Sequence, residues 1–167
     1  KATVAAAKTK MPVYLRFARE KSPVFTTPKS PFQIGHAEVL RQGRDVAIIG
    51  CGPILYQGLL AAEALAKEKI QCRVINCHTV KPLDAKTIIA AARECGAIVS
   101  LEEHQVNGGL GSAIAELLAK NHPVPQEFIG MQDRFGESGD PNELLEYFGL
   151  TSPYVVKAVK KVLKRRM

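Results

Sequence analysis

The sequence predicts an α/β fold: a three-layer α/β/α sandwich whose mixed, mostly parallel sheet has five strands. Short apolar runs bounded by glycine recur along the chain. Between them lie stretches in which apolar residues return at helical spacing. The runs are mostly apolar rather than alternating, and Val46–Gly50 is so throughout, which indicates strands buried on both faces, as in a parallel sheet covered by crossover helices. Right-handed crossovers then place helices on both sides of the sheet.

Each element follows from its residues. Lys1–Lys10 is Ala-rich and reads as the tail of a helix, and Pro12–Ala18 reads as a strand ending at Arg19. Ser22, Pro23, Thr26, Thr27, Pro28, Ser30 and Pro31 follow. Proline at that density fixes an extended path and removes ladder donors, which marks a linker. Residues 1 to 21 are too few to bury a core, so they are expected to be part of something larger. Ala37–Leu40, ending at the Gln42-Gly43 turn, is expected as an edge strand antiparallel to the rest. Val46–Gly50 is a buried strand, closed by Gly50-Cys51-Gly52-Pro53, and Leu55, Leu59, Leu60, Ala62 and Leu65 then mark a helix. The cycle repeats with strand Cys72–Cys77 and helix Asp84–Cys95, the helix turning Ile88, Ile89 and Ala92 inward. A third cycle has strand Ala97–Leu101 and helix Gly111–Lys120. Phe128–Met131 supplies the last strand, with helices near Asn142–Phe148 and Ser152–Lys164.

Composition narrows the function classes. With 167 residues, 46% of them hydrophobic and 23% charged, the chain suits one globular domain with part of a second attached. A domain of that size buries about 70% of its unfolded surface and needs neither disulfide nor metal to fold. No apolar stretch approaches the ~20 residues of a membrane-spanning helix, and no signal-peptide core follows the basic start. Cys51, Cys72, Cys77 and Cys95 form no CxxC pair, which argues against a zinc knuckle or redox dithiol. Free cysteines within apolar segments suit a reducing cytoplasm. The net charge of +7 is concentrated at the ends: residues 1–30 and 157–167 carry +6 each, whereas residues 31–156 carry −5. A nucleic-acid module carries its basic residues on the folded face that grips phosphate, so the excess reads as a solubilising fringe.

Several motifs have a chemical and a structural reading. Gly50-Cys51-Gly52 lies where a dinucleotide fold places its phosphate loop, but Leu55 stands where the third glycine belongs. Half a fingerprint reads as a tight strand-to-helix turn. Glu102-Glu103-His104 and the glycines up to Gly111-Ser112 lie at a strand's carboxyl end, where α/β ligand sites form. The amides of Gly108 to Gly111 could bind an anion, and a glutamate beside a histidine could move a proton. A turn that needs only steric room explains the same glycines. Asp133 to Gly139 is a polar loop in which Phe135 could plug an interface. Arg16 and Arg19 flank the end of the first expected strand, where one arginine could hold a phosphate by a two-pronged bond or simply sit beside Glu20. His36, His78, His104 and His122 show no metal-ligand spacing, and His78 reads as a hydrogen-bonded strand-end residue.

Pro12-Val13-Tyr14-Leu15-Arg16-Phe17-Ala18-Arg19 with Phe32-Gln33-Ile34-Gly35-His36-Ala37-Glu38-Val39 resembles the junction between the pyrimidine-binding and C-terminal domains of transketolases. Thr79-Val80-Lys81-Pro82-Leu83-Asp84, the Glu102-to-Ser112 stretch and Asp133-to-Gly139 resemble further motifs of that family, in the same order. Deoxyxylulose-phosphate synthases and ketoacid dehydrogenase β subunits share the first blocks and the Lys-Pro-Leu-Asp turn. The Asp133-to-Gly139 loop, with Leu144, Leu145, Phe148, Gly149 and Leu150 after it, is closer to transketolase.

The resemblance implies a cytoplasmic, homodimeric transferase of the pentose phosphate pathway, using thiamine diphosphate and Mg²⁺ to move a two-carbon ketol unit between sugar phosphates. It implies that residues 1–30 are the last helix and strand of a pyrimidine-binding domain plus linker, and residues 31–167 the C-terminal domain. It also implies the antiparallel first strand. Neither cofactor signature is found: Gly139-Asp140-Pro141-Asn142 is no metal-and-diphosphate motif, and Glu20 is misplaced to activate the aminopyrimidine. The chain is therefore expected to be catalytically incomplete, to bind no cofactor or metal alone, and to support assembly with the N-terminal and pyrimidine-binding domains. One substrate residue carries over, Arg19, matching the arginine that contacts the substrate phosphate. The alternatives are another enzyme of the superfamily and a stand-alone regulatory module holding an anion at the Gly108 turn.

Overall fold

The structure is a computed structural model that describes residues 1–166. Its sheet has five strands in the order β1-β3-β2-β4-β5. They are β1 (Glu38–Arg41), β2 (Val46–Gly50), β3 (Cys72–Asn76), β4 (Ile98–Gln105) and β5 (Gln126–Met131). β1 is antiparallel to β3, and every other neighbouring pair is parallel. The helices are α1 (Ala2–Lys8), α2 (Leu55–Lys67), α3 (Ala85–Cys95), α4 (Leu110–Asn121), α5 (Pro141–Tyr147) and α6 (Ser152–Leu163).

Period-two alternation sends each central strand's residues into two cores. Val46, Ile48, Val74, Val99 and Leu101 meet α2 and α6 on one face, through Leu65, Val155, Val159 and Val162. Ala47, Ile49, Ile75 and Ile98 meet α3 and α4 on the other, through Ile88, Ala92, Ile114 and Leu118. β2 is wholly buried, which accounts for its unbroken apolar sequence. At the start of α3, Asp84 accepts from the backbone of Thr87 (3.0 Å) and caps the helix. It also accepts from the Thr87 hydroxyl (2.8 Å) and the backbone of Ala37 (2.8 Å), tying the entry to β1 onto α3. Burial alone would raise this carboxyl, but these bonds and nearby His36 hold it below its ordinary value.

Three expectations change. Pro12–Ala18 forms no strand: no neighbouring strand offers it a ladder, and Met11, Tyr14 and Phe17 lie exposed. β4 does not stop at Leu101 but runs through Glu102 to Gln105, pairing with β5 out to Met131 across a register break. The basic end is not a loose fringe, because α6 is fastened by its charges. Lys160 pairs with Glu68 at 2.7 Å, Lys161 and Arg165 pair with Glu127, and Arg166 donates to the carbonyls of Asp45 and Cys95. No helix among the described residues is long and apolar enough to cross a membrane.

Candidate functional site

The carboxyl edge of the sheet collects the residues that the sequence singled out. After β2, Gly52 turns at φ +76° and leads into α2. Gly50 is closely packed: a Cβ there would lie 3.0 Å from both Leu101 and Leu55, whose side chains would have to give way. This is a packed strand-to-helix turn. Cys51 and Cys77 follow β2 and β3, and burial pushes both thiols up to about 12. Such thiols are neutral and poor nucleophiles at physiological pH. His78 stacks on Phe32 at 4.4 Å and lies 3.2 Å from the Thr79 hydroxyl. Burial holds His78 below its ordinary value, with Glu38 opposing, and it has the strand-end role read from sequence.

The glycine-rich turn after β4 is occupied from within. Glu102 is 1% exposed and its two carboxylate oxygens accept from the amides of Leu110 and Gly111, each at 2.8 Å. The Gly108 amide donates to Ser112 Oγ at 3.0 Å, and the Gly109 amide reaches the carbonyl of Val106 at 3.5 Å. Helix N-termini attract anions because their first amides are unpaired, and here the chain provides its own carboxylate. The stand-alone anion module thus loses its binding groups. Burial raises the Glu102 carboxyl, and the two amide bonds only partly offset the rise.

The structure brings Arg16, rather than Arg19, to this edge. The Arg16 charge reaches Glu103 and His104 at the end of β4. Desolvation raises Glu103 while Arg16 opposes it; desolvation and Arg16 together lower His104. Arg19 projects away, with a side chain 96% exposed and only Glu20 beside it at 3.8 Å. An exposed pair at that distance is worth little, so the guanidinium is free to meet a ligand. Gln105, which the sequence reading passed over, clasps the loop after β5. It accepts from the Asp133 amide at 2.8 Å and donates to the Arg134 carbonyl at 2.9 Å.

The residues present do not fit thiamine diphosphate or its metal. Asp140 is committed to capping α5 through the amides of Asn142 and Glu143. The α4 amides are taken by Glu102, and no cluster of three or more His, Cys, Asp or Glu among the described residues could hold a metal ion.

Residues 35–155 match the family model for the transketolase C-terminal domain. The chain belongs to the transketolase C-terminal domain family. Among its curated relatives is the 6-deoxy-6-sulfo-D-fructose transketolase subunit SqwH of Clostridium sp. (strain MSTE9), 43% identical over 93% of this chain and 48% of that protein. Human transketolase is 34% identical over 99% of this chain and 27% of its own length. A 1-deoxy-D-xylulose-5-phosphate synthase from Trichormus variabilis is 41% identical over 89% of this chain and 24% of its own. This transketolase C-terminal chain thus spans half or less of the length of these relatives. Among solved structures, a split-gene transketolase in an inactive β4 tetramer superposes with a TM-score of 0.96. That match has 41% identity and covers 99% of this chain and 55% of that one.

Proposed function

We propose that this chain is the carboxyl-terminal portion of a transketolase, which moves a two-carbon ketol unit from a ketose phosphate to an aldose phosphate. The carrying observation is the match to the split-gene transketolase over 99% of the chain, which includes the leading segment outside the family model. On this reading residues 1–30 close a pyrimidine-binding domain and residues 31–167 form the C-terminal domain. The rest of the pyrimidine domain would cover Met11, Tyr14 and Phe17 and give residues 12–18 the ladder they lack here. Thiamine diphosphate, with Mg²⁺, would supply the carbanion chemistry from the other domains of a cytoplasmic enzyme. This chain contributes assembly and one substrate contact. Arg19 meets the phosphate of the sugar with its planar fork of donors. Copies of the protein associate, as the neighbour's β4 tetramer does.

The test is ketol transfer by the full-length protein that carries this chain. It is supplied with thiamine diphosphate, Mg²⁺ and a diphosphate-binding subunit if that is encoded separately. A ketose phosphate donor and a 6-deoxy-6-sulfoketose donor are both offered, since a guanidinium binds phosphate and sulfonate alike. Transfer of two carbons to an aldose phosphate, followed by mass spectrometry, is the expected result. The second reading, a deoxyxylulose-phosphate synthase, is favoured by the 41% identity to the Trichormus variabilis enzyme. Decarboxylative condensation of pyruvate, with no ketol transfer, would establish it instead. Acyl transfer would indicate a dehydrogenase β subunit.

A further inference from the structure

Glu20 is the one acid among residues 1–37, which carry seven lysines and arginines. Of those seven cations it approaches Arg19, and among the described residues no other cation of the segment lies in an ion pair. Stability does not explain the contact. The two side chains are 96% and 62% exposed and 3.8 Å apart, too long for a hydrogen bond and too wet for much net energy. The setting offers another reason, because Arg19 is the residue read as the contact for the substrate's terminal anion.

Glu20 occupies a definite side of the guanidinium. Its Oε1 stands nearest Arg19 Nε, so the edge formed by Nη1 and Nη2 faces away from it. A tetrahedral oxyanion received end-on by that edge is held by a two-pronged bond, with the guanidinium between it and Glu20. Such an anion meets a pair whose formal charge is zero rather than a lone cation. A neutral pair disfavours a dianion more than a monoanion. A phosphate monoester carries about −1.5 to −2 at pH 7, whereas a sulfonate presents a similar three-oxygen face with a single charge.

We propose that Glu20 is a specificity-determining residue: by offsetting Arg19 from behind, it narrows the margin by which the site prefers a dianionic sugar phosphate to a singly charged sugar sulfonate. The proposal rests on the reading of Arg19 as the substrate-anion contact, and it gives the neighbouring carboxylate a role. Charges on the two sides of a guanidinium lie on the order of 7 Å apart. At an effective dielectric of about 20 to 80, each further unit of charge there changes affinity by about 3- to 50-fold. The exposure of the pair puts the effect at the lower end, about 3- to 10-fold.

The experiment is steady-state ketol transfer by the full-length protein, with its diphosphate-binding subunit if that is encoded separately. One ketose donor is offered with either a terminal phosphate or a terminal sulfonate. The readout is the ratio of kcat/KM for the two donors along the charge series wild type, Glu20→Gln and Glu20→Lys. The phosphate-to-sulfonate ratio should rise about 3- to 10-fold at Glu20→Gln and again at Glu20→Lys, chiefly through KM, with the thermal midpoint unchanged. Glu20→Asp, which keeps the charge, should return the ratio close to the wild-type value. A residue that only shaped the segment would move both donors together, whatever the charge of its replacement. A flat ratio along the series, with Arg19→Ala still selective for anionic donors over uncharged ones, would overturn the proposal and leave the Arg19 contact standing. An Arg19→Ala variant that loses charged and uncharged donors equally would overturn both.

Discussion

Replacing Glu102 tests whether the glycine-rich turn is a structural device. Its carboxylate ends a strand, is 1% exposed and receives two helix amides at 2.8 Å. Hydrogen bonds to a charged group are worth about 1.5–3 kcal/mol each, giving a gross ~3–6 kcal/mol from which the desolvation of the carboxylate subtracts. Glu102→Gln keeps one accepting oxygen but turns an NH₂ toward the other amide, a donor-to-donor contact, and should cost about 2 kcal/mol. Glu102→Ala leaves both amides buried without partners and opens a void, so about 4 kcal/mol is expected.

Urea unfolding gives the magnitude, and amide exchange at Leu110 and Gly111 gives the location. The pH dependence has a definite sign. Burial raises Glu102 above its unfolded value, so the folded state binds the proton more tightly in the window between the two. Its contribution to stability is therefore greatest below the unfolded value near pH 4 and falls as pH rises through the raised folded value. Glu102→Gln should remove that slope. Unchanged stability in both variants, with Leu110 and Gly111 still protected, would mean that the amides find other partners and that the turn is not held by Glu102.

Asp84 should show the opposite slope, because its folded carboxyl lies below the ordinary value: its stabilisation is full above about pH 4 and is lost on acidification through the folded value. Asp84→Asn should cost about 2 kcal/mol at pH 7 and narrow the stability difference between pH 6 and pH 3, both measured by urea midpoints. Gly111→Ala places a Cβ 2.5 Å from Ser100 Oγ and 2.6 Å from Phe128, so it should lower stability by more than 2 kcal/mol although alanine favours helix by about 1. Thermal melts decide this, and a stabilised variant would show that α4 can lift away from β4 and β5. On the transketolase reading, Arg19→Ala in the full-length protein should raise KM for phosphorylated sugars about 30- to 1000-fold, the loss of roughly 2–4 kcal/mol of charge-assisted bonding, and far less for unphosphorylated ones. Equal effects on both substrate types would make Arg19 structural.

The sandwich was legible because its signal is local. Val46–Gly50 is apolar on both faces, which a buried strand accommodates compactly, and Cys72, Val74 and Ile75 mark Cys72–Asn76 as its neighbour. The errors occur where pairing or tertiary contact decides. Pro12–Ala18 has the composition of a strand, but a strand exists only with a neighbour to bond. β4 looked finished at Leu101 because Glu102 is charged, yet that charge is tolerated in a buried strand since the α4 amides receive it. The sequence placed Asp84 at the start of a helix, whereas its hold on Ala37, 47 residues away, leaves no trace there. The approach of Arg16 to Glu103 is equally non-local.

These particulars bear on where function can reside. In most open α/β sheets the carboxyl edge carries the ligand, bound by free helix amides and polar strand ends. Here Glu102 fills the α4 amides, Asp84 caps α3, Asp140 caps α5, and the thiols after β2 and β3 are held neutral by burial. Much of this edge is thus satisfied by its own side chains, with Arg16, Glu103 and His104 at the end of β4 outside that set. Two exposed side chains point outward: Arg19 on the leading segment, with only Glu20 beside it, and Phe135 on the loop after β5. On the proposed reading, such a domain acts through what it presents to other surfaces, and its buried core keeps those presented groups in register.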